Sequence, residues 1–215
     1  MDKILFFNPR SADHHHRLPN SILQVAASVG GKYDFVVVDG NLEKDPWGKI
    51  AEYLGSREFR FFGCTVMPGP QLGQAIPFTR KIRELFPSVI TVWGGYFASL
   101  YPETAIRSGM IDYLIRGCAE VAFPLLVDCV IRGEERNLNK IPGLVYLSSQ
   151  GFPVMNDAGP VPEPDRLNPL PYDQLAKFYD LNRYLPRTWL GVRTFSYHSS
   201  MGCPHHCSFC GVAGV

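Results

Sequence analysis

The chain has 215 residues, 46% of them hydrophobic and 19% charged, which is enough apolar material for a sizeable core. Its 21 basic and 20 acidic residues leave a formal charge of +1, without the basic excess that nucleic-acid-binding surfaces carry. No apolar run approaches the ~18–20 residues that span a bilayer, and the N-terminal hydrophobic stretch is too short for a secretory signal, so a cytoplasmic protein with no membrane span and no nucleic-acid partner is expected.

The first part of the chain alternates between short apolar runs and segments of helical period. Residues 4–7 lead into Asn8-Pro9, 35–38 into Asp39-Gly40, 61–66 into Met67-Pro68, 89–93 into Gly94-Gly95 and 113–115 into Arg116-Gly117. Each run is rich in Val, Ile and Phe and continuously apolar, as strands buried on both faces of a parallel sheet are. Between them, Ile22, Val25, Ala26 and Val29 share one helical face, and Ala122, Leu125, Leu126, Cys129 and Val130 share another. Leu72, Ala75, Ile76, Thr79, Ile82 and Phe86 make a third, which Pro77 is predicted to start or to kink. The alternation predicts an α/β fold with a doubly wound, mainly parallel, five-stranded Rossmann-like sheet over residues 1–133.

Composition changes after Gly133. Residues 143–147 and 152–155 predict a hairpin, and five prolines between 159 and 171 predict an extended linker, so 134–191 reads as hairpin plus linker with a short helix at 172–179. Residues 192–200 alternate and predict one more strand, the first of a (β/α) barrel, running straight into a cluster of cysteines. There is no internal repeat, and His14-His15-His16 is the sole low-complexity tract.

Six cysteines in a chain without an export signal do not read as a disulfide framework. Cys64, Cys118 and Cys129 are scattered, whereas Cys203, Cys207 and Cys210 form C-x3-C-x2-C. Three thiolates from one loop can hold three irons of a cubane cluster and leave the fourth iron open to a substrate. The three sulfurs are therefore expected to converge on one loop after the 192–200 strand, at what would be the functional face of a barrel. The same cysteines with His205 or His206 also fit tetrahedral zinc, and both readings stand on the residues alone.

Open α/β sheets bind ligands at the carboxyl ends of their strands. Asn8, Thr65, Gly94-Gly95-Tyr96 and Gly117 occupy those ends here. Two adjacent glycines either clear the backbone for a bulky ligand or make a tight strand-to-helix turn. There is no G-x-G-x-x-G after the first strand and no P-loop, which argues against dinucleotides and nucleoside triphosphates. Asp13 and His15 have the spacing of a metal-ligating histidine held by a carboxylate, but three histidines in a polar loop read more plainly as solvated, and no axial ligand is assigned.

The segment Cys203-Pro204-His205-His206-Cys207-Ser208-Phe209-Cys210 is similar to the signature of the radical S-adenosylmethionine (radical SAM) superfamily, C-x3-C-x-aromatic-C. Together, Asn8-Pro9, Val92-Trp93-Gly94-Gly95-Tyr96-Phe97-Ala98, Tyr101-Pro102-Glu103 and the run from Ile111 through Arg116-Gly117-Cys118-Ala119-Glu120 resemble the N-terminal domain of cobalamin-dependent radical SAM proteins. The resemblance implies a 4Fe-4S cluster on Cys203, Cys207 and Cys210, S-adenosylmethionine on the fourth iron with Phe209 against its adenine, and one-electron cleavage to a 5′-deoxyadenosyl radical. It also implies cobalamin held at Asn8, Thr65, Gly94, Gly95, Tyr96 and Gly117, with its nucleotide tail entering the sheet near the glycine pair. Cys118 departs from the acidic residue common in the family, which puts that contact in doubt. The implied reaction is methylation of an unactivated carbon of a small-molecule substrate, with a flavodoxin or ferredoxin as electron donor. Cyclisation or rearrangement is the enzymatic alternative, and a binding module with a structural zinc loop is the non-enzymatic one. A (β/α) barrel needs on the order of 200 residues, so residues 192–215 are expected to be its start and the chain alone to be inactive.

Overall fold

The computed structural model describes residues 2–11, 16–159, 161–197, 202, 203, 205 and 207–210. Its centre is a parallel sheet of β1 (Lys3–Asn8), β2 (Phe35–Asp39), β3 (Phe59–Thr65), β4 (Ile90–Gly94) and β5 (Tyr113–Ile115). The strand order is β2-β1-β3-β4-β5, with all four pairings parallel. These are the five apolar runs, each displaced by at most two residues at its ends.

The sheet does not stop at five. The hairpin, β6 (Leu144–Leu147) and β7 (Pro153–Met155), continues it beyond β5 as two antiparallel strands, giving seven in all. The physical reason is β5 itself, which would otherwise present an open edge of unpaired backbone groups. Leu144 and Val145 are fully buried and join the cores on opposite faces of the sheet.

Helices cover both faces. On one side α1 (Asn20–Val29) and α6 (Ala119–Ile131) pack together over Ile4, Phe6, Phe61 and Val92. On the other, α2 (Pro46–Gly55), α3 (Leu72–Leu85), α4 (Tyr96–Leu100) and α5 (Pro102–Arg107) enclose Leu5, Phe7, Phe62 and Trp93. Of the predicted face on α6, Leu125 is exposed and the remaining members are buried. Pro77 neither starts α3 nor ends it: the helix runs through it, and Trp93 Nε1 donates to Thr79 Oγ1 at 3.0 Å just beyond.

The proline-rich linker is extended but not free. Asn168 Nδ2 donates to Ala27 O at 3.0 Å and Gln24 Nε2 to Asn168 O at 3.1 Å, which lays the segment along α1. Beyond it, α7 (Tyr172–Ala176) and the short 3-10 turn Leu181–Tyr184 bury Leu175, Tyr179 and Tyr184 in the α1/α6 core. Residues 192–197 do not form the predicted strand. Val192 and Tyr197 are three-quarters exposed, and the region has a single isolated bridge, Thr188 to Gly191. An alternating segment becomes a strand only when a neighbour satisfies its ladder, and no described strand lies alongside. No helix among the described residues is long and apolar enough to cross a membrane.

Candidate ligand site at the carboxyl edge of the sheet

The carboxyl ends of β1, β3, β4 and β5 converge on a cavity of about 170 Å³ between the sheet and the pair α1/α6. Its floor includes Gly63, Thr65, Val92, Gly94 and Ile115; its walls are Ser21, Ile22 and Val25 from α1 and Ala119, Glu120 and Phe123 from α6. The lining is mostly apolar, with the Ser21 and Thr65 hydroxyls facing each other at 3.5 Å. It lies at the strand ends where the order reverses around β1 and β3, the switch point at which such sheets bind ligands.

The glycines divide by role. A Cβ on Gly94 would meet nothing nearer than Ile115 O at 3.9 Å, and one on Gly117 would meet nothing within 4 Å, so both leave open space. Gly117 and Gly95 both have left-handed backbone, φ +70° and +88°, but a Cβ on Gly95 would also come within 2.9 Å of Thr65 Oγ1 and Val66 N. The glycine character of Gly95 is demanded by the turn from β4 into α4. Gly63 is a packing glycine, since the Phe6 ring fills the place of its missing side chain at 2.9 Å.

Of the other predicted contacts, Thr65 lines the cavity, while Tyr96 stands at the start of α4 and is not part of its wall. Asn8 is buried, and its amide is already engaged. Its Nδ2 donates to Asp39 Oδ1 at 3.0 Å, and its Oδ1 accepts from Gln71 Nε2 at 3.3 Å. It braces three loops at the rim. Asp39, fully buried, is the hub of that brace: Oδ1 also accepts from the backbone and side chain of Asn41, and Oδ2 accepts from Tyr184 Oη at 2.8 Å. Tyr179 Oη accepts from Asp39 N at 2.9 Å and donates to Glu43 Oε1 at 3.0 Å. Burial, with Asp39 beside it, pushes the Tyr184 phenol well above its ordinary range.

The same rim receives the segment that leads into the cysteines. Asn20 Nδ2 donates to Ser196 O at 3.2 Å, and Phe195 meets Tyr172 edge-on at 5.5 Å. Ser196, seven residues before Cys203, helps line a second cavity of about 220 Å³ with Asn8, Asn20 and Ser21. Ser21 belongs to both cavities, so the two adjoin.

Cys203 and Cys207 are exposed free thiols and Cys210 is half-buried, with Cys210 N donating to Cys207 O at 3.0 Å to close a tight turn. Among the described residues no group of three or more Cys, His, Asp or Glu side chains is disposed to hold a metal ion. Metal binding and loop ordering are coupled, because three thiols gain nothing by approaching one another without the ion they bind. The donor set itself suits an iron–sulfur cluster: three accessible thiols within eight residues, none in a disulfide. Phe209 is 90% exposed and makes no packing contact of the kind a buried aromatic would. Asp13 and His15 lie outside the described residues.

Sequence reasoning assigned no role to Ser21, Ser99 or Glu120. Ser99, buried at the end of α4, accepts from Gly117 N at 2.9 Å and donates to Gly95 O at 3.0 Å. Glu120 follows Gly117 by three residues in the first turn of α6, a place where an acidic residue is common and signals only a helix start.

The fold is that of a Rossmann-like α/β domain, followed in the chain by a cysteine loop. No family model matches the chain. Solved structures that share the fold include TsrM from Kitasatospora setae, a radical S-adenosylmethionine methyltransferase with cobalamin and a [4Fe-4S] cluster bound. It has a TM-score of 0.62 and 22% identity, over 79% of this chain and 31% of that one. The cobalamin-dependent S-adenosylmethionine radical enzyme OxsB gives a TM-score of 0.67 at 16% identity, over 82% of this chain and 25% of that one. Among curated proteins, an uncharacterized methyltransferase of Pyrococcus horikoshii is 27% identical over 199 residues, 89% of this chain and 40% of its own length. The anaerobic magnesium-protoporphyrin IX monomethyl ester cyclase of Synechocystis is 26% identical over 137 residues, 63% of this chain and 26% of its own length. The chain thus shares its fold with cobalamin-dependent radical SAM enzymes, the proteins its motifs resemble, and spans less than half the length of these curated relatives.

Proposed function

We propose that this chain supplies the cobalamin-binding domain and the cluster-binding loop of a radical SAM enzyme, and that the enzyme methylates an unactivated carbon of a small molecule. Residues 1–133 with the β6/β7 hairpin form the corrinoid-binding unit, and residues from 192 begin the catalytic domain, with 159–191 tying the two together. When bound, the cluster supplies one-electron reduction of S-adenosylmethionine and cobalamin supplies a transferable methyl group.

The observation that carries this reading is the open space over Gly94 and Gly117, at the rim where Ser196 delivers the chain toward Cys203. A large, flat corrin needs backbone clear of side chains, and its tail needs a slot; the glycines offer the first and the 170 Å³ cavity the second. This chain's own residues bind and orient: Gly94, Thr65 and Gly117 shape the floor, while the Asp39 brace fixes the linker against the rim. Cys203, Cys207 and Cys210 are assigned as cluster ligands, with a small electron-transfer protein as reductant.

Titration of the purified chain with cobalamin, followed by absorption, tests the domain assignment. Gly94→Val should weaken binding by at least about tenfold, because Gly94 lines the cavity and its Cβ position is open, with nothing nearer than Ile115 O at 3.9 Å. A folded wild-type chain that binds no cobalamin at high micromolar concentration would remove the corrinoid half of the reading.

A further inference from the structure

The chain entering the cysteine loop is held on the α/β domain by a residue whose type its own helix does not explain. Asn20 opens α1, whose N-terminus has no side-chain cap. Asparagine is a poor helix former that is favoured near such ends because it can cap them, yet Asn20 spends its amide elsewhere. Buried at 6% exposure, it donates from Nδ2 to Ser196 O at 3.2 Å and accepts at Oδ1 from Tyr172 Oη at 3.3 Å. Tyr172 in turn meets Phe195 edge-on at 5.5 Å, so one buried amide and one ring receive two consecutive residues. Among the described residues from 192 to 197, every other hydrogen bond stays local, reaching back to Pro186, Thr188 and Asn182. Six residues after Ser196, Gly202 rests on the linker, where a Cβ would lie 3.9 Å from both methyls of Val161.

We propose that Asn20 is a positioning residue: its bond to Ser196 registers the start of the cysteine loop to the carboxyl edge of the sheet. Ser21, next in sequence, lines both cavities at that edge, so one turn of α1 faces the ligand space and holds the loop. The domain that carries the cavity thereby also sets where Cys203 stands. What is positioned, an iron–sulfur cluster beside a corrinoid, rests on the proposed function; the register itself belongs to the polypeptide. Reach decides how much the bond matters. Seven residues separate Ser196 from Cys203, and released from the rim they could extend to ~25 Å. The Gly202–Val161 contact does not hold them alone, since an isolated van der Waals contact is too weak. Group transfer between two bound cofactors tolerates no such freedom, because misplacement by ~1 Å can already cost about a hundredfold in rate.

Pulsed electron spin resonance between two nitroxide labels reads the register. One label is placed on Cys203 and the other on Glu84→Cys, an exposed position of α3 on the far face of the sheet. Cys118→Ser, Cys207→Ser and Cys210→Ser leave Cys203 as the accessible native thiol, since Cys64 and Cys129 are buried. This parent should give one narrow distance distribution, and Asn20→Leu and Asn20→Asp should each widen it at least about twofold. Asn20→Asp is the more telling variant. It keeps the shape and the acceptor for Tyr172, suits the first turn of a helix, and loses the donor to Ser196. Tyr172→Phe, which removes the other bond of Asn20, should leave the distribution narrow. Circular dichroism confirms folding, and Asp serves if Leu does not fold. A broad distribution in the parent, or one that Asn20→Asp leaves unchanged, would overturn the proposal. Cob(II)alamin, which is paramagnetic, is then added to the same labelled chains. Faster relaxation of the Cys203 label is expected in the parent, and less of it in Asn20→Asp. If no corrinoid binds, the corrinoid reading falls while the nitroxide distances still decide the register.

Discussion

The amide of Gly117 donates to Ser99 Oγ at 2.9 Å, joining the end of β5 to the helix that begins at the β4 glycine pair. Ser99 in turn donates to Gly95 O at 3.0 Å, so one buried hydroxyl holds two glycine turns that flank the cavity. Ser99→Ala strands the Gly117 amide and should destabilise the fold by about 1–2 kcal/mol. It should also weaken cobalamin binding by misplacing Gly117. A thermal melt and a cobalamin titration on the same variant check both; unchanged values in both would show that the tie is incidental.

The two glycines of the pair should respond differently to the same mutation. Gly95→Ala places a Cβ against Val66 N in a backbone region that only glycine tolerates, a loss of at least about 2 kcal/mol. Gly94→Ala meets nothing nearer than ordinary van der Waals contact and should leave stability within about 0.5 kcal/mol of wild type. Denaturant melts of both variants check this, and equal destabilisation would contradict the separation of turn from floor.

Tyr184→Phe removes the partner of Asp39 Oδ2 at the hub that docks the linker. Leaving that buried oxygen unpaired should cost about 1–3 kcal/mol. Because the 3-10 turn Leu181–Tyr184 carries the chain toward the cysteines, limited proteolysis should shift toward residues 160–190 in this variant. An unchanged cleavage pattern would mean that the linker is held elsewhere.

Alkaline pH should loosen the fold through its tyrosines. Burial raises the phenols of Tyr179 and Tyr184, and burial followed by the Asp128 hydrogen bond pushes Tyr33 up to about 12. A phenol whose folded pKa exceeds the unfolded value of about 10 contributes stability that is complete below pH ~10 and lost as pH rises toward the folded value. Urea midpoints should therefore hold steady from about pH 7 to 9 and fall above about 10, together with the rise of tyrosinate absorption. A midpoint that stays flat through about pH 11 would contradict the burial of these phenols.

The parallel sheet was legible because each strand is buried on both faces and so shows as an unbroken apolar run. The position of the hairpin was not, because Val145 and Leu144 look alike whether their strand pairs only within the hairpin or also with β5; only the open edge of β5 decides it. Residues 192–197 have a strand's alternation without a partner, and pattern alone cannot supply one. At the site, Gly94, Gly117 and Thr65 were readable from their places at strand ends. Asn8 shared the same place but is spent on Asp39 and Gln71, a contact across 31 and 63 residues that no local pattern reveals. Ser99 sits among ordinary helix-terminal residues, so its burial distinguishes it and its identity does not.

The assignment of Cys203, Cys207 and Cys210 as ligands of an iron–sulfur cluster is tested most directly by anaerobic reconstitution with iron and sulfide, with metal and acid-labile sulfide analysis of the product. The wild-type chain should take up about four irons and four sulfides with a broad visible absorption. Replacing any one of the three cysteines by Ala should remove most of both, whereas Cys64→Ala and Cys129→Ala, at buried thiols, should leave them unchanged. One zinc in place of iron, or a full cluster retained by Cys207→Ala, would contradict the assignment.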